Sequence, residues 1–446
     1  MSFIETCRHL VGLDSTPSRG TREIGEFAAQ LCREIGLNVE VDLESLNGIE
    51  QVNLLARPVA AGQGEEVLLQ THLDTVDPGH AGAWTKTQSN PFNASIYNDT
   101  LYGLGVADTK LDFLCKLEAL KQLGPQPWRK PPVLVATYGA QLGMVGAIKL
   151  MRRKRLNATT ALVGEPTQLA LGYAGQGLAV VEVAVPFSGE EIRYREQHDQ
   201  MESGSTQSKI FVGKAAHSSE PALGENAIVK MLDYLVQLPA GIAIMDLDGG
   251  NSYNRVPESA VLEIDVVGSF REPIVPKIAQ ITKALRQMEE TLRAFPADTG
   301  GGRPTVNVGT IRTFPDHVRL TGSCRLPPTV TDNIYEGWIE TIKRECAQVG
   351  ATFSVRDYKA AFRTDPSAAI LASTSRAIRQ LGKEPSLVQV ATSTEANVFS
   401  RFGLDCVVVG PGQGVGNSHA PNEHVKIEEL HGAIEFYKHA VKELCL

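Results

Sequence analysis

The feature that most constrains this chain is a series of short apolar runs rich in β-branched residues, each closed by a glycine, a proline or a polar cluster. They fall at 67–69, 133–137, 161–163 and 406–409. Helical patterns lie between them, the clearest at 111–123, with leucine at 111, 114, 117, 120 and 123. A strand that is apolar throughout has no face for water, so it needs cover on both sides. Such strands alternating with helices predict an α/β fold: a largely parallel sheet flanked by helices. Two more strands are expected at 39–43 and 52–56. Ser2 and Glu5 have capping-box spacing at the start of a first helix. A second helix is expected over about 21–35, with Gly36 as its stop.

The middle of the chain reads differently. From about residue 178 the sequence alternates, as in Ala179-Val180-Val181-Glu182-Val183-Ala184-Val185. Residues 188–208 are highly polar and read as a loop or protruding hairpin. Helices are expected over 226–238, 274–292 and 332–349, a strand at 318–320, and a flexible join at 300–302. There is also a weak internal echo. Pro257-Glu258 precedes Val267, and Pro315-Asp316 precedes Arg325, at the same spacing. These features place an α+β domain at 177–360, inserted into an α/β domain formed by 1–176 and 361–446.

Composition removes several classes of function. There are 43 Lys+Arg against 51 Asp+Glu, a net charge of −8, which argues against a bulk nucleic-acid binder. No apolar run approaches the length of a membrane span. The N-terminus, MSFIETCRHLVGL, mixes charges into its apolar residues and lacks the form of a signal peptide. Seven scattered cysteines with no CxxC pair predict reduced thiols and a cytoplasmic setting.

Ligands of open α/β sheets bind beyond the carboxyl ends of the strands, so the residues after each apolar run carry the functional expectation. The first run is followed by Gln70-Thr71-His72-Leu73-Asp74. The 111–123 helix is preceded by Gly103-Leu104-Gly105-Val106-Ala107-Asp108. The later runs lead into Gly139-Ala140-Gln141-Leu142-Gly143, into Gly164-Glu165-Pro166, and into a glycine-rich loop that reaches His419. Imidazoles and carboxylates gathered at one sheet edge suit a divalent metal such as zinc. Asp74, two residues after His72, is placed to orient that ring. Taken singly, each of these residues is more commonly a turn or capping group. The loop from Gly410 to Gly416 offers phosphate binding as a rival, but no Lys-Ser/Thr follows it. No Gly-x-Ser-x-Gly occurs to support a serine hydrolase.

These motifs, in this order, resemble the binuclear-zinc exopeptidases and deacylases that include acetylornithine deacetylase, succinyl-diaminopimelate desuccinylase, aminoacylase and carboxypeptidase G. The stretches that carry the resemblance are His72-Leu73-Asp74-Thr75-Val76, Leu101-Tyr102-Gly103-Leu104-Gly105-Val106-Ala107-Asp108-Thr109-Lys110, Gly164-Glu165-Pro166-Thr167, Gly213-Lys214-Ala215-Ala216-His217-Ser218-Ser219 and His419-Ala420-Pro421-Asn422-Glu423. The resemblance implies that His72, Asp108 and Glu165 bind one metal, with Asp108 bridging to a second that His419 also holds. It implies that Asp74 orients the first histidine. In the inserted domain, His217 would stabilise the oxyanion, Arg325 would hold a substrate carboxylate and Asn254 would be the lid asparagine. A homodimer formed through the inserted domain is implied as well.

One departure bears directly on chemistry. Where the family carries Asp-Glu-Glu, this chain has Gly139-Ala140-Gln141. Ala140 stands at the general-base position and cannot accept a proton. Gln141, a neutral and weaker ligand, stands where a glutamate would bind the second metal. Lys110 is followed by Leu111-Asp112 where Gly-Gly is usual. The expectation is a metal-dependent hydrolase-type protein with one or two divalent metals, acting on the amide bond of an N-acyl amino acid or small peptide that has a free carboxylate. The alternatives are a family member that binds such ligands without turnover, or one with altered, non-hydrolytic chemistry.

Overall fold

The computed structural model describes residues 1–59, 64–198, 206–218, 221–239, 241–267, 270–297 and 302–446, apart from the side chains of His198 and His217. The chain divides into two compact units, Met1–Gly175 with Phe362–Leu446, and Gln176–Ala361.

Among the described residues, the first unit is built on a nine-stranded sheet. Its central strands Pro132–Thr137, Glu66–His72, Ala158–Val163 and Asp405–Val408 run parallel in that spatial order. Antiparallel strands extend both sides: Ile49–Pro58 and Leu37–Leu46 on one, Leu171–Gly175 and Phe362–Arg363 on the other. Glu66–His72 and Pro132–Thr137 are buried at every position, as their unbroken apolar character predicts. One helical layer consists of Phe3–Gly12, Arg22–Glu34, Lys110–Leu123, Ala369–Gln380 and Ile427–Cys445, which share a core with Leu69, Leu134 and Leu162. Val145–Arg152 and Ala396–Arg401 pack with Leu68, Val133 and Ala161 in a separate core. The Ser2–Glu5 capping box forms. Gly36 ends the second helix at φ +82°, a conformation glycine adopts without a Cβ penalty.

The second unit has a seven-stranded antiparallel sheet, in the order Gln207–Val212, Ser259–Val266, Ile242–Gly249, Thr305–Thr313, His317–Leu326, Gly177–Pro186 and Thr352–Lys359. The two echoing segments are the strands Ser259–Val266 and His317–Leu326. Helices Ala227–Leu235 and Ile274–Ala294 bury Ile228, Met231, Leu232 and Ile278 against the sheet.

One expectation is corrected. Residues 189–198 form a helix, Gly189–His198, rather than a loop. Glu191 accepts from the N–H and hydroxyl of Ser188 and from the N–H of Ile274, so long-range partners hold a segment whose own apolar content is low. The rest of the polar stretch up to 205, and the join at 300–301, lie outside the described residues.

Candidate metal centre

The site is made from strand ends. His72 is the last residue of its strand, and Glu165 follows the neighbouring parallel strand Ala158–Val163. Asp108 stands just ahead of the helix Lys110–Leu123, joined to Thr109 by a cis peptide bond. The Thr109 hydroxyl donates to His72 O at 2.8 Å and fastens the two segments together. One ligand atom from each of His72, Asp108 and Glu165 falls within 4.8 Å of the others. His72 Nε2 lies 3.3 Å from Asp108 Oδ1. His419, in the left-handed region at φ +61°, donates from Nε2 to Asp108 Oδ2.

Charge in this space is unbalanced. Burial pushes the Glu165 carboxyl up to about 8, and the neighbouring Asp108 charge pushes in the same direction. Burial also acts against the Asp108 carboxylate, but hydrogen bonds from His419 and His72 override it and hold that group well below the usual range. At His72, burial disfavours the imidazolium, and Asp108 and Asp74 outweigh it, so its pKa rises. His419 rises for the same reason, through Asp108. Two carboxyl groups held this close in a buried pocket, with an imidazole beside them, form a donor set that fits a divalent cation.

Asp74 faces the His72 ring with both its backbone oxygen and its carboxylate. His72 Nδ1 is 3.0 Å from the Asp74 backbone oxygen, while the Asp74 carboxylate is 3.6 Å away. The backbone carbonyl is therefore the nearer group orienting the ring. The carboxylate also accepts the N–H groups of Ala140 at 3.1 Å and Gln141 at 2.9 Å. Gln141 Nε2 donates to Asp108 Oδ2 at 3.4 Å and lies 3.2 Å from His419 Nε2. Its neutral amide thus occupies the neighbourhood expected for a second metal. The Ala140 methyl offers no proton acceptor.

Two further carboxyl groups belong to this region and carried no assigned role in the sequence. Glu423 accepts the N–H groups of Ala107 at 2.8 Å and Asp108 at 3.0 Å, which fixes the backbone at Asp108. Glu395 accepts from Thr137 Oγ1 at 2.6 Å and from Gln70, and burial raises it to about 7. Glu423 lies in a motif already singled out, four residues after His419. Nothing near Glu395 in the sequence marks it.

The second unit gathers the other expected residues. Ala216–His217 pairs antiparallel with Arg255–Val256, which sets His217 opposite Arg255. Ser218 N–H donates to Asn254 O at 2.9 Å, and the Asn254 side chain, exposed, accepts from Ser252 Oγ at 2.7 Å. Arg325 is 5% exposed and reaches Ser218 Oγ at 3.5 Å. Its Nε has no hydrogen-bond partner among the described residues, and no carboxylate there pairs with it. A buried guanidinium without a counter-ion is costly, and an incoming carboxylate offsets that cost.

The fold is mixed α/β, with a group of residues that could hold a metal ion placed at and beside the ends of its parallel strands. The sequence model of peptidase family M20/M25/M40 matches residues 68–443. The chain belongs to this family, which is metal-dependent. It is 30% identical over 291 residues to an acetylornithine deacetylase of Vibrio atlanticus (strain LGP32), covering 59% of this chain and 68% of that one. It is 31% identical over 227 residues to an acetylornithine deacetylase of Aliivibrio fischeri (strain MJ11), covering 50% of each. The chain thus spans about half the length of several curated relatives it matches. In fold it is similar to an M20 metallo-carboxypeptidase from Sulfolobus solfataricus, with TM-score 0.65, 18% identity and 99% of each chain covered. It is similar too to an aminoacylhistidine dipeptidase from Vibrio alginolyticus, with TM-score 0.64, 14% identity, and 99% and 96% covered.

Proposed function

We propose that the protein is a metal-dependent hydrolase-type protein that takes an N-acyl amino acid or small peptide with a free carboxylate. The observation that carries this reading is the His72–Asp108–Glu165 group, in which His72 and Asp108 are buried and all three ligand atoms lie within 4.8 Å of one another. These residues would hold zinc, and His419 would help to hold a second metal at a position that Gln141 leaves weakened. When bound, the metal polarises the scissile carbonyl and makes water acidic. Arg325 holds the substrate carboxylate through its unpartnered Nε–H, His217 stabilises the oxyanion, and Asn254 borders the ligand. Seven free cysteines fit a cytoplasmic setting. Among the described residues, no helix is long and apolar enough to cross a membrane.

Ala140 favours a second reading, in which the ligand binds without turnover. Loss of a positioned general base costs ~10²–10⁴ in rate. Placing glutamate at 140 and 141 together decides between the two. If the variant hydrolyses N-acyl amino acids and the parent only binds them, the parent is a binding protein. Comparable turnover by both supports the hydrolase. If neither binds such compounds, the carboxylate role of Arg325 is wrong.

A further inference from the structure

Behind the ligand set lies an ion pair that the proposed chemistry does not use. Asp112 and Lys116 stand one turn apart on the helix Lys110–Leu123, and they are 1% and 0% exposed. Lys116 Nζ directs its three protons to Gln70 O at 2.5 Å, Thr71 Oγ1 at 3.0 Å and Asp112 Oδ2 at 2.6 Å. The Thr71 hydroxyl donates to the same carboxylate oxygen at 2.6 Å. Asp112 Oδ1 accepts from the Tyr437 hydroxyl, whose oxygen is also 2.9 Å from Val409 O. The ammonium lies 5.1 Å from the centre of the Tyr437 ring.

Each of these partners leads directly to an expected ligand. Gln70 and Thr71 precede His72. Gln70 O also accepts the N–H of Gly164, the residue before Glu165, at 2.8 Å. Val409 opens the loop that runs to His419, and the helix carrying the pair starts just after Asp108-Thr109. Glycines provide the room. A Cβ on Gly164 would lie 2.0 Å from Asp112 Oδ2, and one on Gly410 would lie 3.0 Å from Oδ1.

A buried ion pair is a poor source of stability, because apolar residues of like volume commonly serve as well. What it supplies is direction: charge-assisted bonds fix atoms along set lines, which apolar contacts do not. We propose that Asp112, Lys116 and Tyr437 are positioning residues that set the spacing of His72, Asp108, Glu165 and His419 for a divalent cation. The proposal rests on the metal-site reading above.

The test compares the parent with the Asp112→Asn/Lys116→Met double variant, which removes both charges together and leaves neither stranded. Zn²⁺ affinity is measured by competition with a chromophoric chelator, Co²⁺ geometry by visible absorption, and folding by Tm. The expected result is a folded double variant with Zn²⁺ affinity weakened ~10–100-fold and an altered Co²⁺ spectrum. Parent-like affinity and spectrum in the folded variant overturn the proposal. Tyr437→Phe keeps volume and charge and removes one hydrogen bond to Asp112. It should weaken Zn²⁺ binding by a smaller factor, and parent-like affinity there overturns the proposal even if the double variant does not fold. A parent that takes up neither ion overturns the metal-site reading and this inference with it.

Discussion

At the scale of single residues, the chemistry turns on a few substitutions and unmet bonds. Arg325 should recognise a free carboxylate. Arg325→Met is expected to weaken binding of an N-acyl amino acid at least tenfold and to leave its methyl ester little affected, as calorimetric titration with both ligands would show. Glu395 gives a pH signature. Burial raises it to about 7 from its ordinary 4.5. Between those values the folded protein holds a proton that the unfolded chain has released. Glu395 therefore favours folding below pH 4.5, and that contribution is lost as pH rises through about 7. Glu395→Gln should flatten that part of the stability profile, and urea unfolding at pH 5 and pH 7.5 checks it. The role of Arg325 was implied by the family resemblance, but neither its burial without a counter-ion nor the raised Glu395 was legible beforehand. An arginine and a glutamate in sequence look alike whether paired in water or stranded in a core.

At the scale of elements, the strand ends do the placing. The parallel strands were legible because burial on both faces leaves an unbroken apolar run, and their polar endings named His72 and Glu165. The helix Lys110–Leu123 was only half legible. Its leucine spacing predicts one apolar face and assigns no place to the face that carries Asp112 and Lys116. In the structure that face is buried too, because the two residues satisfy each other and the strand ends beside them. The close approach of Gly164 gives an expected outcome at this scale. Gly164→Ala should cost about 1–3 kcal/mol or more in unfolding free energy, since the new methyl meets a carboxylate already held on several sides. Chemical denaturation measures it. The helix Gly189–His198 was not legible, because its anchors come from residues distant in sequence.

At the scale of the whole molecule, the change from apolar runs to alternation marked the insertion, and the structure divides the chain after Gly175 and again before Phe362. Quaternary structure is a proposal of the same scale. Among the described residues, Gln207–Val212 is an edge strand and exposes Ile210 at 68% and Val212 at 70%. An open apolar edge invites pairing with a second copy. Ile210→Lys with Val212→Glu should convert a dimer to monomers in sedimentation velocity and leave Tm within a few degrees of the parent. A parent that sediments as a monomer would remove the dimer from consideration.

The carboxylate of Asp74 has a consequence for how this protein can be altered. It grips the turn at Ala140 and Gln141 through main-chain N–H groups, so this hold does not call on the side chains of the two positions. The turn works as a socket with exchangeable fittings. Substitutions at these two positions should leave the Asp74 bonds to the main chain in place. That makes these two positions the natural starting point for engineering or evolving new chemistry on this scaffold.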